Sequence, residues 1–466
     1  MPARRKASKA PRKAPARKAV LRPAPRPLRA AVLLFLVTFL CYLANGRTTP
    51  YIQAGDTIPN RLIPFSILRF GTLTLDPFRE DMEAAGGFRW YVQERDGHLV
   101  SFYPIGTPLI ALPVYVPLYL GLAATGPVSS ARLFAAAPVA EKLTASFLAA
   151  LSCALFYLLV RRRVPPRVAV WAALAFGLAS SMWATASQLL WQHGPVVLML
   201  TAALWLLTWP ERPAWSLAGA GCALSLAVMA RPSALFFALA GCATAFAGDG
   251  PLTARLRRVL LLTAAALPAA ALTLLYNWTF FRSLSGAYGQ VSGELVPARI
   301  GEGAAGLLFS PNRGLLVFTP IALFGLVGLG RAFIGMIRPT GEGRDPLLAF
   351  FGLASLAHVA LMGSYREWAG GWSFGPRYLV DVLPVLALAG AGMWPRLRPA
   401  WKPLAGAALV WSLLVQVNGA FAYPASRWNV RMSEAGLEQA AWDWRHFSLW
   451  EDQVAWWELG KSAPRF

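Results

Sequence analysis

The sequence predicts an all-α polytopic membrane protein with about 11 transmembrane helices, and three observations carry that expectation. Apolar stretches long enough to cross hydrocarbon, about 17 to 25 residues each, recur from residue 30 to residue 421. The chain is 56% hydrophobic and only 14% charged, with mean hydropathy +0.47, a balance foreign to water-soluble domains of this length. Lys and Arg concentrate in alternate loops, as the positive-inside rule requires of a chain that crosses repeatedly.

Residues 1–29 hold 11 of the 44 basic residues, mixed with Ala and Pro and without an aromatic residue. Such a segment cannot build a core and reads as a disordered cytoplasmic anchor beside anionic lipid, which accounts for much of the +22 net charge without nucleic acid. The apolar run that follows, Ala30–Leu43, reads as an uncleaved signal anchor because so many spans come after it. The expected spans are about 29–46, 131–160, 166–187, 193–209, 214–230, 232–248, 256–281, 314–334, 346–364, 377–394 and 400–421.

The stretch 104–122 is apolar enough to be a twelfth, but prolines at 104, 108, 113 and 117 argue for an interfacial or re-entrant helix. Charge parity agrees. Without that crossing, the loops 161–167, 209–213, 249–258, 331–344 and 395–402 carry 14 Lys/Arg in 44 residues, against 11 in 96 on the opposite side. This puts the N-terminus in the cytoplasm and the C-terminus outside. The first outer loop, about 47–130, is expected to be structured at the membrane surface, with Ile58, Leu62 and Phe65 on one helical face and Arg61 and Arg69 snorkelling. The tail 423–466 is rich in Trp, and its Trp450, Val454 and Trp457 stripe suits an interfacial anchor.

Four cysteines (Cys41, Cys153, Cys222, Cys242) lie in apolar segments without CxxC spacing, so neither disulfides nor zinc are expected. No Walker loop, GxSxG, HExxH or EF-hand loop occurs, which disfavours an ATP-driven pump. No matched pair of broken helices suggests a transporter repeat.

The chemistry-bearing residues gather on the outer side. Asp56, in Gly55-Asp56-Thr57-Ile58-Pro59, is placed either as a general base facing a surface cleft or as turn and helix-cap chemistry, with Gly55 permitting a tight turn. Glu141-Lys142 sets two charges into a span; intramembrane charge is a functional signal, and adjacent helical residues diverge by about 100 degrees. His193 opens a span without a partnering motif and reads more readily as structural than catalytic. Arg231-Pro232 marks an outer turn, where the cation could meet an anionic head group or cap a helix. Arg313, in Ser310-Pro311-Asn312-Arg313-Gly314, and Arg377, in Gly371-Trp372-Ser373-Phe374-Gly375-Pro376-Arg377-Tyr378, each stand at a helix mouth. Arginine suits a phosphate through its planar fork; the alternative is interfacial snorkelling.

These motifs, with Tyr103-Pro104-Ile105-Gly106-Thr107-Pro108, Ala230-Arg231-Pro232 and the closing Arg161-Arg162-Arg163, resemble the GT-C superfamily of membrane glycosyltransferases. The likeness covers residues from about 29 to 421 and is nearest to the bacterial branch of protein O-mannosyltransferases and lipid A aminoarabinose transferases. It implies a polyprenyl-phosphate sugar as donor, a glycan, lipid or protein acceptor, a bacterial inner membrane, and no nucleic acid. By the resemblance, Asp56 would be the catalytic base and Arg231, Arg313 and Arg377 would hold the donor phosphate. Tyr103, Glu141, Lys142, His193 and Tyr378 are the further candidates for substrate contact. Asp56 has no adjacent second acid, and the Glu-Lys-Pro-Pro element of the aminoarabinose transferases is missing, which leaves the sugar and any divalent cation unassigned. A flippase of lipid-linked sugars, or a ligase with a diphosphate-linked donor, are the alternatives.

Overall fold

A computed structural model describes residues 27–46, 54–338, 344–423, 428–429 and 436–462. The basic N-terminal segment lies outside the described residues up to residue 26. What is described is predominantly helical. Six helices are long and apolar enough to cross a membrane, and six further apolar helices are 10–17 residues long. Eleven of these twelve coincide with the expected spans; the twelfth is Gly106–Ala124, which runs as one continuous helix with Pro113 and Pro117 inside it.

A single apolar core runs through the bundle, built from small residues that let helices approach closely. The helix Ala214–Ala230 meets Leu252–Phe281 at Gly221, where a Cβ would fall 1.9 Å from the Leu262 carbonyl oxygen. Without a hydrophobic drive between helices in lipid, close packing at small residues holds such a bundle together.

The first loop makes a second core on top of the bundle. After a short turn at Gly55–Thr57, the helix Ile58–Phe70 buries Leu62, Ile63 and Phe65 against Tyr115, Leu133 and Ala137. Phe65 meets Tyr115 edge-on, 4.9 Å between ring centroids. Arg61 does not snorkel: it pairs with Glu141 at 3.2 Å, because that buried carboxylate is within reach and lipid phosphate is not the better partner. A hairpin that the sequence reading missed, β1 (Val92–Arg95) and β2 (His98–Ser101), closes through Asp96-Gly97, both at positive φ. Asp-Gly between short strands is the signal that could have found it.

The most irregular backbone lies inside the bundle. The helix Pro166–Leu178 is followed by a π-turn at Met182–Ala186, and non-helical chain continues to His193, where the next helix begins. All of residues 180–195 are buried, so every peptide group there needs an internal partner. Glu141 and Lys142 supply two of them. The Glu141 carboxylate accepts from the Leu190 N–H at 2.9 Å, and Lys142 Nζ donates to the Ser187 carbonyl at 3.2 Å and to Gln188 Oε1 at 2.8 Å. Asn45 Oδ1 takes the third ammonium proton at 3.1 Å, and Asn60 Nδ2 donates to the Leu190 carbonyl at 3.0 Å.

In the tail, helix Ser448–Ser462 exposes Trp450, Val454 and Trp457 along one stripe. Trp428 departs from the interfacial expectation. It is buried, with the Arg313 guanidinium 4.3 Å from its ring.

Candidate active site

Asp56 sits in the turn that leads into Ile58–Phe70, and Gly55 beside it is required for a reason other than a turn. Its φ is ordinary, but a Cβ there would lie 2.7 Å from the Tyr91 ring and 2.8 Å from Trp90. The hairpin thereby brings Trp90 against the carboxylate. Asp56 Oδ1 accepts from the Tyr103 hydroxyl at 2.7 Å and from Trp90 Nε1 at 3.3 Å, and Oδ2 pairs with Arg377 Nη1 at 2.9 Å. Burial alone would raise the Asp56 carboxyl; Arg377, Tyr103 and Trp90 overcome it and hold the group below its usual value of 3.8. Burial and the neighbouring Asp56 charge push the Tyr103 hydroxyl far up, so it stays a donor.

Arg377 is presented by a loop whose glycines Gly370, Gly371 and Gly375 all have positive φ, a path closed to most side chains. Its guanidinium lies 4.3 Å from the Trp191 ring, and its Nε is buried without a hydrogen-bond partner among the described residues. Arg313 supports this loop from behind. Its guanidinium donates to the carbonyls of Ala369 at 2.7 Å and Gly371 at 3.0 Å, and to that of Asn312. Arg313, expected at the donor phosphate, is buried, lines neither cavity at Asp56 and turns its fork to backbone oxygen.

Behind Arg377, one helical turn on, Asp381 gathers a second cluster. Arg231 Nη1 pairs with Asp381 Oδ2, while His193 Nδ1 lies 2.9 Å from Asp381 Oδ1 and 2.9 Å from Arg231 Nη1. That one nitrogen can accept from Arg231 or, as N–H, donate to Asp381, but not both. His358 Nε2 donates to the Tyr378 carbonyl at 2.9 Å and stands 3.7 Å from Asp381. His193, read as unpartnered, thus has a carboxylate partner 188 positions away in the chain. Asp381 and His358 went unseen, although a lone acid inside the apolar run from Leu379 to Leu388 is the kind of intramembrane charge that marks a site.

Two cavities meet at Asp56. One, of about 750 Å³, is lined by Tyr103, His193, Arg231, Tyr288, Arg377 and Tyr378 among others; the second, about 790 Å³, by Arg61, Arg89, Tyr91, Glu367 and Trp372 among others. Asp56, Trp90, Trp191, Glu367 and Arg377 line both. Six of the nine candidate residues therefore surround one space. Glu141 and Lys142 line neither cavity; they bond the 187–190 segment that leads into Trp191, Gln192 and His193, and Glu141 also pairs with Arg61 on the wall of the second cavity. Among the described residues, no group of three or more His, Cys, Asp or Glu could hold a metal ion.

No protein-family model matches the chain, and no curated protein matches it by sequence. Among solved structures, the chain is similar to ArnT from Cupriavidus metallidurans bound to undecaprenyl phosphate, at 16% identity and TM-score 0.47, over 92% of this chain and 76% of that one. It is also similar to the archaeal oligosaccharyltransferase AglB from Archaeoglobus fulgidus in complex with an inhibitory peptide and a dolichol-phosphate. There the identity is 13% and the TM-score 0.43, over 84% of this chain and 56% of the archaeal one, so the chain spans little more than half of that protein. Both likenesses are distant.

Proposed function

We propose that this chain is an inverting membrane glycosyltransferase that moves a sugar from a polyprenyl-monophosphate donor to a hydroxyl of a cell-envelope acceptor. The observation that carries the reading is the position of Asp56 and Arg377 on the wall shared by two cavities of similar size. A transferase needs two substrates to meet at one base and one anion clamp, and that wall holds both.

The cavity with His193, Arg231 and Tyr378 suits the donor phosphate. Asp56 takes the proton from an acceptor hydroxyl in the other cavity, and the freed oxygen attacks the anomeric carbon. The bond from that carbon to the phosphate oxygen breaks, and the lipid leaves as phosphate dianion. Arg377 serves both events: Nη1 orients the base, and the guanidinium charge on the shared wall stabilises the charge that develops on the leaving group. Arg231 adds a second cation, held in place by Asp381.

The same reading sets the membrane geometry. Eleven helices cross, and Gly106–Ala124 does not. Its first residue abuts Ala230, next to Arg231, and its last leads within a few residues to Ser130, at the Asp56 end of the helix Ser130–Val160. Both of its ends therefore belong to one face. With the arginine-rich loops in the cytoplasm, that face is periplasmic, as are the first loop and the Trp-rich tail.

The test is transfer by purified protein in lipid, with radiolabelled polyprenyl-phosphate sugars and a membrane extract as acceptor. Asp56→Asn should lower the rate by about a thousandfold while leaving expression and thermal unfolding unchanged. Retained transfer in that variant would remove Asp56 from the role. A wild-type protein that transfers from no monophosphate donor but does so from a diphosphate-linked one would replace the donor class.

A further inference from the structure

The end of the bundle opposite Asp56 carries a further cavity, of about 370 Å³, unrelated to the transfer reaction. Its rim holds four arginines, Arg163, Arg331, Arg338 and Arg396, and a single acid, Asp345. Arg163 pairs with Asp345 at 2.5 Å, and Arg396 donates to the Gly392 carbonyl at 2.6 Å. Arg331 and Arg338 are exposed and make no side-chain ion pair among the described residues.

The inner wall is apolar and made of small groups, Gly328, Ala332, Gly335, Ala389 and Gly392 among them, so the cavity reaches between the helices Ala322–Ile337 and Leu383–Met393. Leu323, Val327, Ile334 and Ile337 are all exposed on the first of these helices. At that spacing they form one lipid-facing ridge, and Arg331 and Arg338 stand on it at its cavity end. An apolar ridge that ends in cations around a pocket has the layout of a bound diacyl lipid: chains along the ridge, phosphodiester among the guanidiniums. Three more cations than anions at the rim give the complementary charge.

We infer that this cavity is a binding site for the headgroup of an anionic glycerophospholipid, on the face opposite the transfer site. Planar guanidiniums grip phosphate oxygens in pairs, and a groove between helices removes competing water. A neutral zwitterionic lipid lacks the net charge to hold four such groups together.

The experiment is native mass spectrometry of the delipidated full-length chain in neutral detergent, titrated with phosphatidylglycerol, phosphatidylcholine, undecaprenyl phosphate or inorganic phosphate. One saturable phosphatidylglycerol adduct is expected, with phosphatidylcholine retained at least about tenfold less well. The Arg331→Gln/Arg338→Gln double variant should lose that adduct by about tenfold or more. The control Arg255→Gln/Arg257→Gln, which removes two charges elsewhere, should keep it. Equal loss in both variants would reduce the effect to general attraction of lipid to basic loops and overturn the site. Undecaprenyl phosphate binding more tightly than phosphatidylglycerol, with the same loss in the double variant, would overturn the glycerophospholipid assignment, as would competition by inorganic phosphate alone at equal concentration. Both target arginines are exposed, so folding should survive; an unchanged unfolding midpoint verifies this, and Arg331→Lys/Arg338→Lys, which keeps the charge but not the paired grip, should retain more of the adduct than the glutamine pair and less than the wild type.

Discussion

Asp56 is held ionised, and this has consequences that can be measured. Its carboxyl lies below the usual 3.8 because Arg377, Tyr103 and Trp90 outweigh the cost of burial. A carboxyl depressed in the folded state contributes stability that is present above its unfolded value and is lost as pH falls through the lower folded value. Transfer should therefore show no loss from Asp56 between neutrality and about pH 4.5. Tyr103→Phe removes the 2.7 Å donor to Oδ1, so the acid limb of the pH–rate profile should move upward and the rate fall by about tenfold. A profile unchanged in position would mean that the hydroxyl does not tune this base. Arg377→Lys keeps a charge but loses the fork, so it cannot serve Asp56 and a phosphate together; the donor KM is expected to rise with kcat falling.

At the scale of elements, the site depends on two supports that never touch a substrate. The segment 187–190 is non-helical and buried, and Glu141 with Lys142 satisfies its backbone. Glu141→Ala would strand both the Leu190 N–H and the partly exposed Arg61 guanidinium, a loss of about 3 kcal/mol read as a lower unfolding midpoint in detergent. Glu141→Gln keeps an acceptor for Leu190 and should cost clearly less; equal midpoints for the two variants would sink this account. The second support is the close approach of Gly106 to the end of the helix Ala214–Ala230. A Cβ at Gly106 would lie 2.2 Å from the Ala230 nitrogen, a backbone atom with no room to yield. Gly106→Ala should therefore displace the turn that carries Arg231, raising the donor KM more than it lowers the unfolding midpoint.

For the whole molecule, the proposed eleven crossings would place the arginine-rich loops on one side and Asp56 on the other. Single cysteines at Asp249 and at Glu458, in a variant with the four native cysteines replaced, test this with an impermeant thiol reagent on intact spheroplasts. Position 458 should label and position 249 should not until the membrane is opened. Because Asp56 and Arg377 pair on one face, the reverse pattern would invert the whole bundle and turn the active site toward the cytoplasm. The number of apolar helices was legible because partition into hydrocarbon is summed along a continuous run.

Residue types for the site were equally legible where a motif carried them: Asp56, Tyr103, His193, Arg231, Arg377 and Tyr378 line one space. Their partners were not. Asp56 and Arg377 are 321 positions apart, and Arg231 and Asp381 are 150 apart. Nothing along a chain says which helix ends will meet at such distances. Side-chain packing chose Arg377 over Arg313, because one guanidinium opens to a cavity while the other is enclosed by the carbonyls of the loop it supports. Burial likewise turned Glu141 and Lys142 from site candidates into the support of an irregular segment, since a buried peptide group without a partner is costlier than two charges that can serve it.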